Sequence, residues 1–226
     1  MGPSSIQRWL AYSERRRLLD ADLEVAGLDS PGLVLEVGSG HRPRRGRYQA
    51  PVEKATAWIY LDLSADRSAD IVADVEHLPL KDGTFDTVIC LEVLEYITHP
   101  KQALCEMGRV LRPGGMLVLS APFMHRADTE HDYWRFSEHA LRHLMAETGF
   151  EVRQLRAQGA ALAVAVNILK YSIAAVPSRL WRSSLAFLAY LPLAALLKLD
   201  GWSCRRLSVL GTFSTGYLVV ACSSRQ

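Results

Sequence analysis

The segment Leu33-Val34-Leu35-Glu36-Val37-Gly38-Ser39-Gly40 constrains this chain more than any other. Four aliphatic residues around a single acid read as a buried parallel strand. Two glycines one residue apart then make a tight turn in which the backbone can approach a ligand closely. Without side chains, Gly38 and Gly40 leave room for a ribose or an amino-acid moiety against the peptide planes. A nucleotide-type cofactor is the first expectation.

Two further hydrophobic runs also stop at acids. Trp58-Ile59-Tyr60-Leu61 ends at Asp62, and Asp70-Ile71-Val72-Ala73 ends at Asp74. Ligands of open α/β sheets sit outside the carboxyl ends of the strands, so Glu36, Asp62 and Asp74 are expected to line one crevice. A carboxylate offers two acceptor oxygens, which suits Asp62 to a ribose diol. Asp74 suits an adenine amino group, with the Val75 backbone completing the base edge. Taken singly, each acid is equally an ordinary loop or helix cap.

More motifs follow in order: Asp74-Val75-Glu76-His77-Leu78-Pro79-Leu80, Phe85-Asp86-Thr87-Val88-Ile89-Cys90, Glu92-Val93-Leu94-Glu95-Tyr96-Ile97 and Arg109-Val110-Leu111-Arg112-Pro113-Gly114-Gly115-Met116-Leu117. With these, residues 33–150 resemble the class I S-adenosylmethionine-dependent methyltransferases, small-molecule type. The resemblance implies a Rossmann-like, seven-stranded, mostly parallel α/β sheet with helices on both faces. It places Glu36, Gly38, Ser39 and Gly40 around the methionine part of S-adenosyl-L-methionine. Asp62, with Leu63 beside it, would hold the ribose, Asp74 and Val75 the adenine, and Leu91 with Glu92 would close the pocket. Arg42 stands where the family often has a third glycine, so the path of residues 41–47 is left open.

A chain of 226 residues can bury a substantial core as one domain. We divide it into an N-terminal helix (1–30), a cofactor-binding core (31–157), an apolar helical insertion (158–206) and a final strand (207–226). The formal charge of +2, with no basic stripe carrying interleaved aromatics, gives no case for nucleic acid. Arg42, Arg44, Arg45 and Arg47 read as a solvated loop or as a grip on an anionic acceptor. Cys90, Cys105, Cys204 and Cys222 show no metal or redox spacing, which suits a reducing cytoplasm. Arg15, Arg16 and Arg17, with no apolar run after them, argue against a signal peptide.

The pattern predicts a single helix over 4–26, capped by Ser4 or Ser5 and ended by Gly27. Trp9, Leu10 and Tyr12 on it either dock on the sheet or cover the cofactor cleft. A strand over 85–91, a helix over 100–111, a Pro113-Gly114-Gly115 turn and a strand over 116–120 follow. A helix over 137–148, a strand over 151–156 and a last, antiparallel strand over 215–223 complete the pattern. Strands alternating with helices imply a parallel sheet with right-handed crossovers.

After the fifth strand, residues 121–136 pack imidazoles and aromatics into a loop at the expected cofactor edge. The run Asp132-Tyr133-Trp134-Arg135-Phe136 resembles a pattern seen in bacterial methyltransferases of this broad group. Tyr133, Trp134 and Phe136 are candidates to wall the acceptor site and face the sulfonium. His125 and His131 are the candidate catalytic bases, because histidine titrates near neutral pH. The competing reading makes Asp132 and Arg135 a structural pair locking the loop. A metal site from His125, Asp128 and His131 lacks any defining spacing, and no metal is expected.

Between the last two strands, residues 160–176 and 185–197 form apolar runs flanked by Arg179, Arg182, Lys198, Arg205 and Arg206. Pro177 breaks the first run and Pro192 interrupts the second. Neither reaches the 18 to 20 uninterrupted apolar residues of a span, roughly, so a helical hairpin is expected. It would cap an apolar acceptor site, pair two copies through 160–200, lie in a membrane surface, or simply pack as buried core. The expected function is methyl transfer from S-adenosyl-L-methionine to an O or N atom of a small, amphiphilic or lipid-linked acceptor. The expected place is the cytoplasm, peripheral to the inner membrane face. The alternatives are a nicotinamide-dependent oxidoreductase and a non-catalytic, membrane-associated cofactor-binding protein.

Overall fold

The computed structural model describes residues 3–26, 32–40, 47–65 and 69–224. Arg42, Arg44, Arg45 and the Gly27 stop lie outside them. Seven strands form one sheet in the order β3-β2-β1-β4-β5-β7-β6. They are β1 (Leu33–Val37), β2 (Ala57–Asp62), β3 (Ile71–Val72), β4 (Phe85–Leu91), β5 (Leu111–Pro122), β6 (Phe150–Ala157) and β7 (Gly216–Ser223). β1 to β5 pair in parallel, while β7 runs antiparallel between β5 and β6.

Strand periodicity sorts the core into two layers. Val34, Ile89, Val118 and Leu218 face one side, where Leu19 and Leu23 of helix α2 (Glu14–Ala26) cover them. Leu35, Val88, Leu117 and Val219 face the other, against Leu104 and Met107 of α3 (Pro100–Val110) and Leu141 and Met145 of α4 (Glu138–Glu147). The result is a helix–sheet–helix sandwich whose parallel strands are buried on both faces.

Three boundaries differ from the sequence expectation. The N-terminal helix is two helices, α1 (Pro3–Ala11) and α2. The break falls at Tyr12 and Ser13, where the Ser13 hydroxyl accepts from Arg16 N at 3.2 Å and Lys170 Nζ donates to the Tyr12 carbonyl at 2.7 Å. Helix α2 docks on the sheet. In α1, Ile6 and Leu10 pack instead on Ala186 of the insertion. The Pro113-Gly114-Gly115 segment is not a turn before a new strand. Phe85 pairs with Leu111 and Thr87 with Met116, so the segment bulges out of a continuous β5, with Gly114 at φ +71°.

The insertion is the expected hairpin, with helices α5 (Ala161–Ala174) and α6 (Arg179–Arg206). Its second arm overturns the expected length. Pro192 lies inside α6, and by length and composition this 28-residue helix is long and apolar enough to cross a membrane. Caps and docking residues set its ends rather than the limits of the apolar run. Ser178 accepts from Trp181 N at 3.5 Å. Asp200, near the other end, accepts from Ala160, Leu162 and Ala163 N at 2.8, 3.0 and 3.2 Å, capping α5 from outside.

Candidate active site

The strand order reverses between β1 and β4, and the residues read as cofactor ligands lie at the carboxyl ends around that point. Gly38 and Gly40 have φ of +68° and +61°, a region L side chains rarely adopt. A Cβ at Gly38 would sit 2.2 Å from Val93 Cγ2, whereas one at Gly40 would meet nothing within 4 Å. The first glycine is required by packing; the second turns beside open space. Gly38 N donates to the Leu61 carbonyl at 2.8 Å and Ser39 N at 3.2 Å, tying the turn to the end of β2. Glu36, buried at the end of β1, accepts from Trp58 Nε1 at 2.9 Å.

Asp62 is buried and already receives two backbone donors, Gly40 N at 2.9 Å on Oδ2 and Ser64 N at 3.1 Å on Oδ1. Leu63 beside it is 73% exposed. Asp74 is exposed and accepts from Glu76 N at 2.9 Å in a local turn, while the Val75 side chain packs into the core. Leu91 is half-buried at the end of β4. Glu92 then adopts φ +58°, the one non-glycine residue at positive φ among the described residues.

Glu92 is held in that strained conformation by side chains from two directions. Ser120 Oγ donates to Oε1 at 2.7 Å from β5. Arg15 of α2 grips both carboxylate oxygens, its Nε donating to Oε2 at 2.8 Å and its Nη2 forming the second bond of the fork. Burial disfavours the Glu92 carboxylate, but the Arg15 charge and the Ser120 and Arg15 hydrogen bonds outweigh it and hold the carboxyl below its usual range. Arg15, only 2% exposed, also donates through Nη1 to Gln158 Oε1 at 2.9 Å and to the Thr215 carbonyl at 3.0 Å. A Cβ at Gly216 would strike its guanidinium. Next to this fork, Glu95 is buried and its Oε2 has no hydrogen-bond partner. Burial, then the Glu92 charge, pushes its carboxyl well above the usual range.

Arg15 enters the sequence reading only through the charge of the amino terminus, with no place in the site, although a signal exists. It precedes Leu19 and Leu23 at four-residue spacing, so it lies on the buried stripe of α2, where a charge needs an internal partner.

The loop after β5 separates the two histidines. His125 turns inward, its ring 5.5 Å from that of Tyr171 and its Nδ1 3.5 Å from Asn167 Nδ2, both on α5. Asn167 Oδ1 accepts from Glu14 N at 3.1 Å, which leaves its amide nitrogen toward the imidazole. Burial, then the Arg15 charge, lowers the His125 pKa. His131 is exposed on the outer side, with Nδ1 3.1 Å from the Tyr133 hydroxyl. Among the described residues no three His, Cys, Asp or Glu groups are placed to hold a metal ion.

Tyr133 and Trp134 are exposed, their backbone N–H groups donating to the Glu95 carbonyl at 2.9 and 3.2 Å, and Trp134 Nε1 donates to the Ile97 carbonyl at 2.9 Å. Phe136 does not wall an open site: it is buried in the main core, stacked on Trp134 with ring centroids 6.2 Å apart. Two residues along from Trp134 in extended chain, it turns the same way but deeper. The Asp132–Arg135 pair does lock the loop. Arg135 Nη2 donates to Asp132 Oδ2 at 2.6 Å and to the Arg126 carbonyl at 2.9 Å.

Residues 35–119 match the family model described as a methyltransferase domain. Sheet order, glycine turn and helix layers together are those of the class I S-adenosylmethionine-dependent methyltransferase fold, which this chain has. Among curated proteins, it is similar to a demethylmenaquinone methyltransferase of Renibacterium salmoninarum, 35% identical over 107 residues, covering 47% of this chain and 35% of that one. The chain spans between 15% and 52% of the length of the curated relatives it matches. Among solved structures, it is similar to the Haemonchus contortus phosphoethanolamine N-methyltransferase 2, at 16% identity and TM-score 0.56, covering 92% of this chain and 52% of that one. It is also similar to the YcgJ protein of Bacillus subtilis, at 12% identity and TM-score 0.55, covering 93% and 99%.

Proposed function

We propose that this chain transfers a methyl group from S-adenosyl-L-methionine to an O or N atom of a small, amphiphilic acceptor. The observation that carries the reading is the carboxyl edge beside the strand-order reversal. There a glycine turn with free space at Gly40, the buried acid Asp62 and the strained, Arg15-clamped Glu92 stand together. The donor set fits the group: backbone carbonyl groups at 38–40 face the amino-acid end, their N–H groups being used to hold the turn, and the remaining lone pairs of the Asp62 carboxylate suit ribose hydroxyls. When bound, the cofactor supplies an already activated methyl, so the protein has chiefly to align the acceptor and exclude water.

In this reading the acceptor lies between the 122–136 loop and α5. The Asn167 amide, 3.5 Å from Nδ1, holds the ring with its lone pair on Nδ1 and its proton on Nε2, and burial favours the neutral imidazole. An acceptor hydroxyl or ammonium displaces the long Asn167 contact and gives its proton to Nδ1, leaving His125 an imidazolium; His131, exposed on the outer side of the loop, has no such place. Tyr133 and Trp134 form the outer rim. The curated relative named for demethylmenaquinone supports a small-molecule acceptor.

Parallel calorimetric titrations with S-adenosylmethionine, S-adenosylhomocysteine and NAD test the reading. Saturable binding of the first two is expected. Binding of NAD alone would replace it with the oxidoreductase alternative.

A further inference from the structure

Helix α6 is apolar around most of its circumference, yet one long side of it is uncovered. Leu180, Leu188 and Leu191 are 82%, 72% and 74% exposed, and Trp181, Phe187, Leu199 and Trp202 are exposed with them. Positions 180, 184, 187, 188, 191, 195, 198, 199 and 202 follow the three- and four-residue spacing of one helix face. A helix of this character in water alone is unfavourable; it belongs against a core, a partner or a bilayer.

The opposite side is already used. Ala186 and Leu193 are buried, and Ala186 lies against Ile6 and Leu10 of α1. Asp200 turns inward to cap α5. Both halves of α6 are thus held to the fold, and inserting the helix across a bilayer would pull the Asp200 carboxylate from three backbone donors. The uncovered face lies along the helix axis, not at its tip.

Charge selects the occupant. Arg179 and Arg182 stand at one end, Lys198, Arg205 and Arg206 at the other, and the one acid of α6 is the buried Asp200. Two copies packed through this face, parallel or antiparallel, bring cationic ends together. An anionic lipid leaflet pairs with both ends. Trp181 and Trp202 sit near those ends, where interfacial tryptophans are favoured, and Lys198 is itself on the uncovered face.

We propose that the outer face of α6 lies in the plane of an anionic phospholipid leaflet, with the cationic side chains at its ends pairing with lipid phosphates. The anionic cytoplasmic leaflet supplies such a surface. The contact stands on α6 alone. Its role in presenting an amphiphilic acceptor to the site rests on the methyl-transfer reading.

The full chain is mixed with vesicles of phosphatidylcholine, alone or with phosphatidylglycerol, and floated. It is expected to float with the anionic vesicles and to stay behind with neutral ones. Lys198→Gln with Arg206→Gln, both exposed, should weaken partitioning by about fivefold per cation removed. Leu188→Glu with Leu191→Glu, both exposed positions, should abolish it. S-adenosylhomocysteine binding by the same variants should be unchanged; if no protein binds it while flotation persists, the cofactor reading fails and the membrane surface stands. Four outcomes overturn the proposal: no flotation with anionic vesicles, indifference to the leucine substitutions, resistance to alkaline carbonate extraction, or a dimer that those substitutions dissolve without any vesicle binding.

Discussion

The carboxyl edge of the sheet and the helical cap above it are built on opposite principles. At the edge, absence of side chains does the shaping: Gly38 turns back where a Cβ would enter Val93, and Gly40 leaves space open. The cap is the reverse. There α2 and α5 meet through buried polar groups, with Arg15 on Glu92, Asn167 on the first turn of α2, and Lys170 3.7 Å from Glu14 and over the Trp9 ring at 4.6 Å. An edge that must admit a ligand needs room and fixed backbone. A cap that must sit in one register needs directional bonds, because apolar contacts alone tolerate sliding.

The sharpest way to break the edge is Gly38→Ala. Left-handed strain and overpacking together predict a loss of about 4 kcal/mol in stability and no measurable S-adenosylhomocysteine binding. Gly40→Ala, which meets only the strain, should retain a folded protein by thermal melting. If both melt alike, the Val93 contact does not decide the turn.

For the cap, Arg15→Met leaves the half-buried Glu92 without its counter-charge and should cost about 2 kcal/mol. Pairing it with Glu92→Gln should recover much of the melting temperature. Additive effects in that double-mutant cycle would mean the fork does not couple cap to edge.

The junction of the two regions is His125. His125→Gln should lower kcat about a hundredfold while sparing S-adenosylhomocysteine affinity, whereas His131→Gln should leave both unchanged. Turnover should rise as pH climbs through the lowered His125 pKa and then level off, since the neutral ring is the active form. Stability follows the same sign. The unfolded imidazole binds its proton more readily, so this contribution is complete above the unfolded value of about 6.5 and is lost as pH falls through the folded one. Equal kcat losses in the two histidine variants would remove the distinction drawn between them.

Asp62→Ala should weaken S-adenosylhomocysteine about tenfold, removing an acceptor of Gly40 N as well as a ribose ligand. The smallest effect belongs to the outer cap: Asp200→Ala should cost about 1 kcal/mol, read as faster hydrogen exchange in the first turn of α5.

The edge was more legible than the cap for a physical reason. A glycine pair after a buried strand and acids at strand ends are local patterns, since backbone geometry dictates them within a few residues. The strands containing Glu36 and Asp62 therefore form where alternation placed them. Phe136 reads as a site residue because an aromatic in a polar loop carries no mark of depth; packing in the main core with residues such as Leu141 and Met145 buries it. Helix α6 ran past its apolar core because Ser178 caps it and Asp200 has a tertiary partner, facts that no window of hydropathy contains.

By itself, then, the sequence determined the strand-and-helix alternation, the glycine turn and the acids that follow the strands, because each depends on local sterics and periodicity. Tertiary structure decided which charges are buried and with whom. Arg15 reaches Glu92 across 77 positions and Asn167 reaches the start of α2 across 153. It likewise decided which histidine faces inward and which side of α6 is left uncovered, since pairings and exposures of that kind exist only once distant segments have packed.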